Sequence, residues 1–299
     1  MNNVKKVFSI RDLENLSGIK AHTIRIWEKR YNLFSPERTD TNIRTYSLSS
    51  LQKLLNITLL YDNGYKISKI AKIPEPEIPN MVREVVSNKT SKSQNLNAFK
   101  LAMMNFDQTV FFETYDKLLK TKSFGEIFKD VFIPLLNEIG LLWQTDTIGP
   151  AHEHFITSLI KQKILVNTER IQHQKPTKTN KVFVSFLPEN EIHDIGILYL
   201  NYEILLKGYK VVYLGQTIPI EYLIDLVKYF DNIYFLSYFT VKPDKTEISN
   251  YIKEFELYLR ESSNPHFWIL GRQIQHLEPS KIPSFVKTFT SIEEVIQNL

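Results

Sequence analysis

Residues 181–196 read KVFVSFLPENEIHDIG, and they decide the fold of the C-terminal part of the chain. Lys181–Phe186 is rich in β-branched and aromatic residues, which is typical of a buried strand. A helical pattern follows at about 194–207. The alternation continues to residue 299, with strands expected at Tyr209–Leu214, Asn232–Ser237, Phe267–Leu270 and Val286–Phe289 and helices expected at 220–230, Thr246–Arg260 and Ile292–Leu299. Alternating strands and helices predict a doubly wound parallel sheet over residues 178–299.

The region before this sheet is predicted to be helical. Pro74, Pro76 and Pro79 and the polar stretch Ser87–Asn97 indicate a linker with a short helix inside it. Four helical patterns then run over Leu96–Met104, Asp107–Lys120, Phe124–Leu142 and Pro150–Gln172. Helices joined by short loops predict a four-helix bundle, so we place a linker and a bundle at 77–177.

The first 76 residues carry the pattern of a winged helix-turn-helix. Ser9–Asp12 has the form of a capping box, Gly18 breaks the first helix, and a second helix is expected at Ala21–Arg30. The polar segment Tyr31–Tyr46 suits a wing, and further helices are expected from Ser47 and at Ile67–Ile73. Ile24 and Trp27 are spaced for the core of the second helix.

Composition narrows the possible functions. Residues 1–73 contain 13 Lys and Arg against 6 Asp and Glu, whereas the remainder contains 24 against 27. A basic head on a slightly acidic body indicates nucleic-acid binding. The absence of Cys excludes disulfides, thiolate metal sites and Cys nucleophiles. The sequence has no apolar N-terminal leader and no long apolar run, so we expect a cytoplasmic protein.

The head resembles that of the MerR family of regulators. The resemblance rests on Thr23–Tyr31, which ends in Trp-Glu-Lys-Arg-Tyr, and on Arg38-Thr39 followed after four residues by Arg44-Thr45-Tyr46. It implies that DNA is contacted by Arg25, Arg30, Tyr31, Arg38, Arg44 and Tyr46. The alternative is a solvated basic face with Trp27 and Tyr46 in the core.

The sheet carries a second motif at its expected ligand-binding edge, where parallel strands end. Glu191-x-His193-x-x-Gly196 resembles the motif of Rossmann-like cobalamin-binding domains. The resemblance implies that His193 is the lower cobalt ligand and that Glu191, with Asp194 as a second candidate, polarises it. Gly196 would let the helix approach the nucleotide tail, and Gly215, Ser237 and Gly271 would line the same edge. The alternative for His193 is a loop residue that caps the next helix. Arg272 departs from the family, which usually has a second Gly there.

A third motif lies at the last helix of the bundle. Trp143, nine residues, and then Glu153-His154 resembles the signature of light-responsive cobalamin regulators. It implies that Trp143 and Glu153 pack around the adenosyl group, and that His154 takes the upper cobalt position after light has removed this group. His152 is a neighbouring competitor for that role.

Taken in order, the three motifs imply a DNA-binding transcriptional regulator, most simply a repressor, that senses adenosylcobalamin and light. Its expected partners are double-stranded DNA, cobalamin and itself, as a dimer or tetramer. One alternative is a regulator of the same fold that no longer binds cobalamin, which Arg272 favours. Another is a corrinoid methyl-transfer protein. The sequence has no phosphate-binding loop, no Ser nucleophile elbow and no metalloprotease motif, so we expect no enzyme.

Overall fold

A computed structural model describes residues 7–82, 92–144, 147–259 and 266–299. The chain groups into two compact units, Met1–Leu159 and Ile160–Leu299. Within the described ranges, no helix combines the length and the apolar character that a membrane span requires. The mixed α and α/β class expected from the sequence is confirmed.

The head of the first unit is a winged helix-turn-helix. Its elements are β1 (Val7–Ser9), α1 (Ile10–Ser17), α2 (Ala21–Tyr31), β2 (Glu37–Arg38), β3 (Arg44–Ser47), α3 (Leu48–Asp62) and α4 (Ile67–Ile70). The three strands form an antiparallel sheet in the order β1-β3-β2. Ser9 closes the predicted capping box with Asp12, and Gly18 ends α1 in the left-handed conformation. The sequence did not predict β1, because three residues are too few for a visible alternation.

The rest of the first unit is helical. It contains α5 (described over 78–82), α6 (Lys92–Asn105), α7 (Gln108–Leu119), α8 (Phe124–Ile127), a π-helical turn at Phe128–Phe132, α9 (Ile133–Gln144) and the start of α10 (Pro150–Gln172), inside which the boundary between the units falls. The linker predicted at Ser87–Asn97 is wrong from residue 92 onward, since α6 begins there; 83–91 lie outside the described residues. Asn97 is polar but buried, and its amide donates to Asp62 of α3 at 2.9 Å.

The second unit is a five-stranded parallel sheet. Its strands are β4 (Lys178–Pro188), β5 (Tyr209–Ile218), β6 (Ile233–Tyr238), β7 (His266–Leu270) and β8 (Val286–Phe289), in the order β5-β4-β6-β7-β8. The helices are α11 (Ile195–Leu206), α12 (Ile224–Val227), α13 (Ile248–Tyr258) and α14 (Ile292–Gln297). The predicted helix at 220–230 is instead a 3₁₀ turn at Ile220–Leu223 followed by the short α12.

The order of the strands in the sheet indicates where a ligand is expected to bind. The chain leaves β4 for β5 on one side and later returns to β6 on the other side, so the direction of winding reverses between β4 and β6. Ligands of doubly wound sheets bind outside the carboxyl ends of the strands at this point. An aromatic core holds the strands in place, with Phe255 of α13 stacked on Phe267 of β7 at 3.9 Å between ring centroids.

Candidate functional site

Glu191 ties together the two loops that leave β4 and β6. Its side chain is completely buried. One carboxylate oxygen accepts hydrogen bonds from the backbone N–H groups of Ile192 (2.9 Å) and His193 (3.0 Å). The other accepts from the backbone N–H groups of Thr240 (3.2 Å), Val241 (2.6 Å) and Lys242 (2.8 Å). The carboxylate therefore fixes both walls of the crevice at the switch point.

This carboxylate is held in its ionised form. Burial alone would raise the pKa of Glu191, but the hydrogen bonds from the His193 ring and the backbone N–H groups lower it to about 2. A buried negative charge is tolerated here because each oxygen has several donors.

The His193 ring is oriented by Glu191. Its Nδ1 lies 2.5 Å from Glu191 Oε1, and its side chain is 51 % exposed. A Nδ1–H that donates to the carboxylate belongs to the tautomer in which Nε2 carries the ring lone pair, and a nitrogen of this kind can bind a metal. Asp194 instead pairs with Lys161 of α10. Of the two carboxylates that the sequence left open, Glu191 is the one that contacts His193.

The glycines of the motif serve close packing at this edge. A Cβ on Gly196 would lie 2.5 Å from the Tyr238 ring, so glycine lets α11 approach β6. Gly271 has φ +111°, and a Cβ there would lie 2.4 Å from the Phe239 carbonyl oxygen. Gly215 has φ +93° with open space around it, at an irregularity inside β5 rather than at the strand end that the sequence suggested.

Two further positions at this edge differ in character. Ser237 is buried, and its hydroxyl donates to the Phe186 carbonyl at 2.9 Å, so it ties β6 to β4. Arg272, directly after Gly271, has an exposed side chain.

Among the described residues, no group of three or more His, Cys, Asp or Glu side chains is placed to hold a metal ion. His193 is one oriented imidazole, so it could supply one ligand to a metal whose other ligands come with a macrocycle.

The Trp143 motif lies in the first unit. Trp143 is 55 % exposed near the end of α9. Glu153 and His154 lie in the first turns of α10, where the His154 side chain is 71 % exposed and its Nε2 is 3.8 Å from Glu153 Oε2. Residues 145–146, between Trp143 and Glu153, lie outside the described residues.

His152 differs from His154 in its surroundings. It is buried and stacks on Phe106 at 4.7 Å between ring centroids. Burial lowers the pKa of its imidazole. These features make His152 a core residue, which leaves His154 as the accessible histidine of this pair.

The head presents a cationic face along α2. Arg25, Lys29 and Arg30 are exposed, and the Arg30 guanidinium lies 5.5 Å from the centre of the Tyr31 ring. Arg38 is exposed in the wing, where it donates to the Asn42 side chain at 2.6 Å. Ile24 and Trp27 are buried, as predicted.

Glu28 clamps the wing to α2, a role that the sequence did not suggest. One of its oxygens accepts from Arg44 Nε at 3.1 Å, and the other accepts from the Tyr46 hydroxyl at 3.0 Å. Tyr46 is only 1 % exposed, and burial followed by the Glu28 contact raises its pKa. The predicted direct contact of Tyr46 with DNA does not fit this burial, which matches the alternative of a core residue.

Two family models match separate parts of the chain. Residues 8–75 match the MerR HTH family regulatory protein, and residues 96–166 match the B12 binding domain. The HTH-type transcriptional repressor CarH of Myxococcus xanthus is 26 % identical over 224 residues, which are 73 % of this chain and 73 % of that protein. The repressor CarA of the same organism is 23 % identical over 70 % of this chain and 68 % of that protein.

A solved structure also shares the fold. The monomethylamine corrinoid protein of Methanosarcina barkeri superposes with a TM-score of 0.52 at 13 % identity, over 73 % of this chain and 94 % of that protein.

Proposed function

The chain is a MerR-family regulator with a cobalamin-binding domain, and from this premise we propose that it represses transcription in response to adenosylcobalamin and light. One observation carries the proposal: His193, held by the buried Glu191, stands at the switch point between β4 and β6. The similarity to the repressors CarH and CarA supports repression, rather than activation, as the effect on transcription. We retain 1–76, 77–177 and 178–299 as the DNA-binding, helical and cobalamin-binding segments.

The residues of the second unit suit a corrinoid. His193 would be the lower ligand of cobalt through Nε2, with Glu191 as the group that fixes its tautomer. Gly196, Gly215, Ser237 and Gly271 would shape the edge for the nucleotide tail, while Asp194 would anchor the start of α11 through Lys161. When bound, adenosylcobalamin supplies a cobalt–carbon bond that light cleaves.

Residues of the first unit would contact the upper ligand of cobalt, which is the adenosyl group. Trp143 offers an exposed flat apolar surface for the adenosyl group, and Glu153 offers a hydrogen-bond acceptor. We assign His154 as the imidazole available for the upper cobalt position when the adenosyl group is absent.

The head would bind double-stranded DNA through α2 and the wing. Arg25, Arg30 and Tyr31 on α2 and Arg38 in the wing are accessible for phosphate contacts, which set register and salt dependence. Arg44 would contact DNA while its Nε remains bonded to Glu28. Tyr46 would contribute indirectly, because its hydroxyl also bonds to Glu28 and helps to hold the wing against α2. Assembly of the dark form into a dimer or tetramer would strengthen binding by multivalency.

A second candidate is a regulator of the same fold that does not bind cobalamin. It is favoured by Arg272, whose charged side chain replaces the glycine usual at this edge. A methyl-transfer role is a weaker proposal, because the corrinoid protein shares the fold of the chain but the basic head and the similar repressors indicate regulation.

The test is a spectroscopic titration with adenosylcobalamin in the dark. Wild-type protein should give a coloured complex, which size-exclusion chromatography should show as an oligomer that dissociates after green light. His193→Ala should bind more weakly and shift the absorption spectrum toward the base-off form, whereas His173→Ala, at an exposed histidine after α10, should match wild type.

An unchanged spectrum for His193→Ala would remove His193 as the cobalt ligand. A colourless wild-type protein of constant size would favour the cobalamin-independent regulator. A coloured oligomer whose size does not change after illumination would mean that the protein senses cobalamin but not light.

A further inference from the structure

The head and the helical region share one core through α3. Seven consecutive residues of α3, from Leu54 to Leu60, are buried, so burial extends around the helix. A helix that is buried all round has neighbours on all sides. On the head side these are α1 and β3, and on the other side α3 packs against α6, where Asn97 donates to Asp62.

The loop that follows Trp143 also reaches the head. Thr147 is completely buried and Ile148 is nearly so. The Thr147 hydroxyl donates to Asp12 Oδ1 at 3.3 Å, across 135 residues of sequence. The Thr147 backbone N–H donates to the Leu142 carbonyl at 2.9 Å, which ties the same residue to the end of α9.

Asp12 belongs to the capping box at the start of α1, the first helix of the head. Its second oxygen, Oδ2, accepts from the Ser9 backbone N–H at 2.7 Å, and the Asp12 backbone N–H donates to the Ser9 hydroxyl oxygen at 3.2 Å. One carboxylate therefore serves both the start of α1 and the loop between Trp143 and Glu153. Because α1 packs against α2, the helix that Thr147 contacts is the direct neighbour of the helix that carries Arg25 and Arg30.

The far end of the loop is anchored as well. His152 lies two residues into α10, immediately before Glu153, and stacks on Phe106. The side chains of Trp143 and His154 are thus exposed, whereas the described residues Thr147 and Ile148 between them are buried, and Thr147 contacts the head.

We propose that Thr147 and Asp12 form a relay that couples the Trp143–His154 segment to the start of α1 in the DNA-binding head. A change in the upper-ligand contacts of Trp143 or His154 shifts residues 147–148, and the Asp12 contact passes the shift to the helix that supports α2. The signalling part of this inference rests on the proposed function. The physical coupling between loop and head does not.

Thr147→Val tests the relay, because it keeps the shape of the side chain and removes the donor. Thr147→Ser keeps the donor and serves as the conservative variant. Thr114→Val is the matched control, since Thr114 is similarly buried in the same unit but its hydroxyl donates to the Val110 carbonyl of its own helix.

The first readout is amide hydrogen exchange of the cobalamin-free full chain. Losing a hydrogen bond to a carboxylate should make exchange in α1 and in residues 147–154 roughly tenfold faster in Thr147→Val. Thr147→Ser should restore the wild-type rate, and Thr114→Val should change α7 without changing α1. Equal α1 exchange in wild type and Thr147→Val overturns the coupling.

The second readout is the ratio of DNA affinities with and without adenosylcobalamin in the dark. Thr147→Val should bring this ratio toward one while the cobalamin absorption spectrum stays that of wild type. An unchanged ratio overturns the signalling role. A wild-type protein whose affinity ignores cobalamin contradicts the proposed function and the signalling role with it, whereas the exchange measurement still decides the physical coupling.

Discussion

The substitution Glu191→Gln tests the central support of the candidate site. The carboxylate accepts six hydrogen bonds, three at each oxygen. A glutamine amide has a single acceptor oxygen and an NH₂ group that only donates. In either orientation the NH₂ group faces one set of N–H donors, so buried donors are left without acceptors.

The pKa of Glu191 gives the expected magnitude. Its fall from the ordinary value of 4.5 to about 2 corresponds to about 3 kcal/mol of folding free energy at neutral pH. Because the folded-state pKa lies below the unfolded one, this contribution is fully present above pH 4.5 and is lost as the pH falls through about 2. Glu191→Gln should therefore lose at least about 3 kcal/mol near pH 7 and less near pH 3.

Urea unfolding followed by circular dichroism, near pH 7 and near pH 3, measures both quantities. Glu189→Gln is the matched control, because it makes the same change at an exposed position two residues earlier, and it should stay within about 0.5 kcal/mol of wild type. If Glu191→Gln loses less than about 1 kcal/mol and keeps the wild-type pH dependence, the assigned hydrogen-bond network is wrong.

Three other substitutions test separate features. Gly271→Ala should lower the free energy of unfolding by about 2 kcal/mol or more, since its Cβ would meet the Phe239 backbone at a positive φ, and chemical denaturation measures this; Gly140→Ala, in open space on α9, should raise stability slightly. Arg25→Ala should weaken DNA binding and reduce the slope of log affinity against log salt by about one, and an unchanged slope in a salt titration would remove Arg25 from the phosphate contacts. Arg272→Gly should tighten cobalamin binding in a titration if Arg272 obstructs the tail, whereas weaker binding would identify it as a tail contact.

The sequence predicted the parts of the fold that local pattern determines. The strands of the sheet are apolar runs with β-branched residues, and all five lie where they were expected to within a few residues. The capping box at Ser9 and the break at Gly18 are also local signals, and both are confirmed. The sequence pointed to His193 because its motif fits within six residues, and its role as a cobalt ligand stays a prediction.

Features that depend on distant contacts could not be predicted in this way. The polar start of α6 looked like a linker, because its burial against α3 comes from tertiary packing. Tyr46 looked like a DNA contact, because only the folded wing brings its hydroxyl to Glu28. The backbone donors at residues 240–242 carry no side-chain signal at all, although they supply half of the hydrogen bonds to Glu191.

The unequal exposure of the three tryptophans gives this chain a built-in optical probe. Trp27 and Trp268 are buried, whereas Trp143 is exposed at the proposed signalling segment. A water-soluble quencher such as iodide should therefore remove the long-wavelength emission of Trp143 and leave the emission of the two buried indoles. Fluorescence of the unlabelled protein can thus follow the environment of one chosen side chain in real time, with the head and the sheet as internal references.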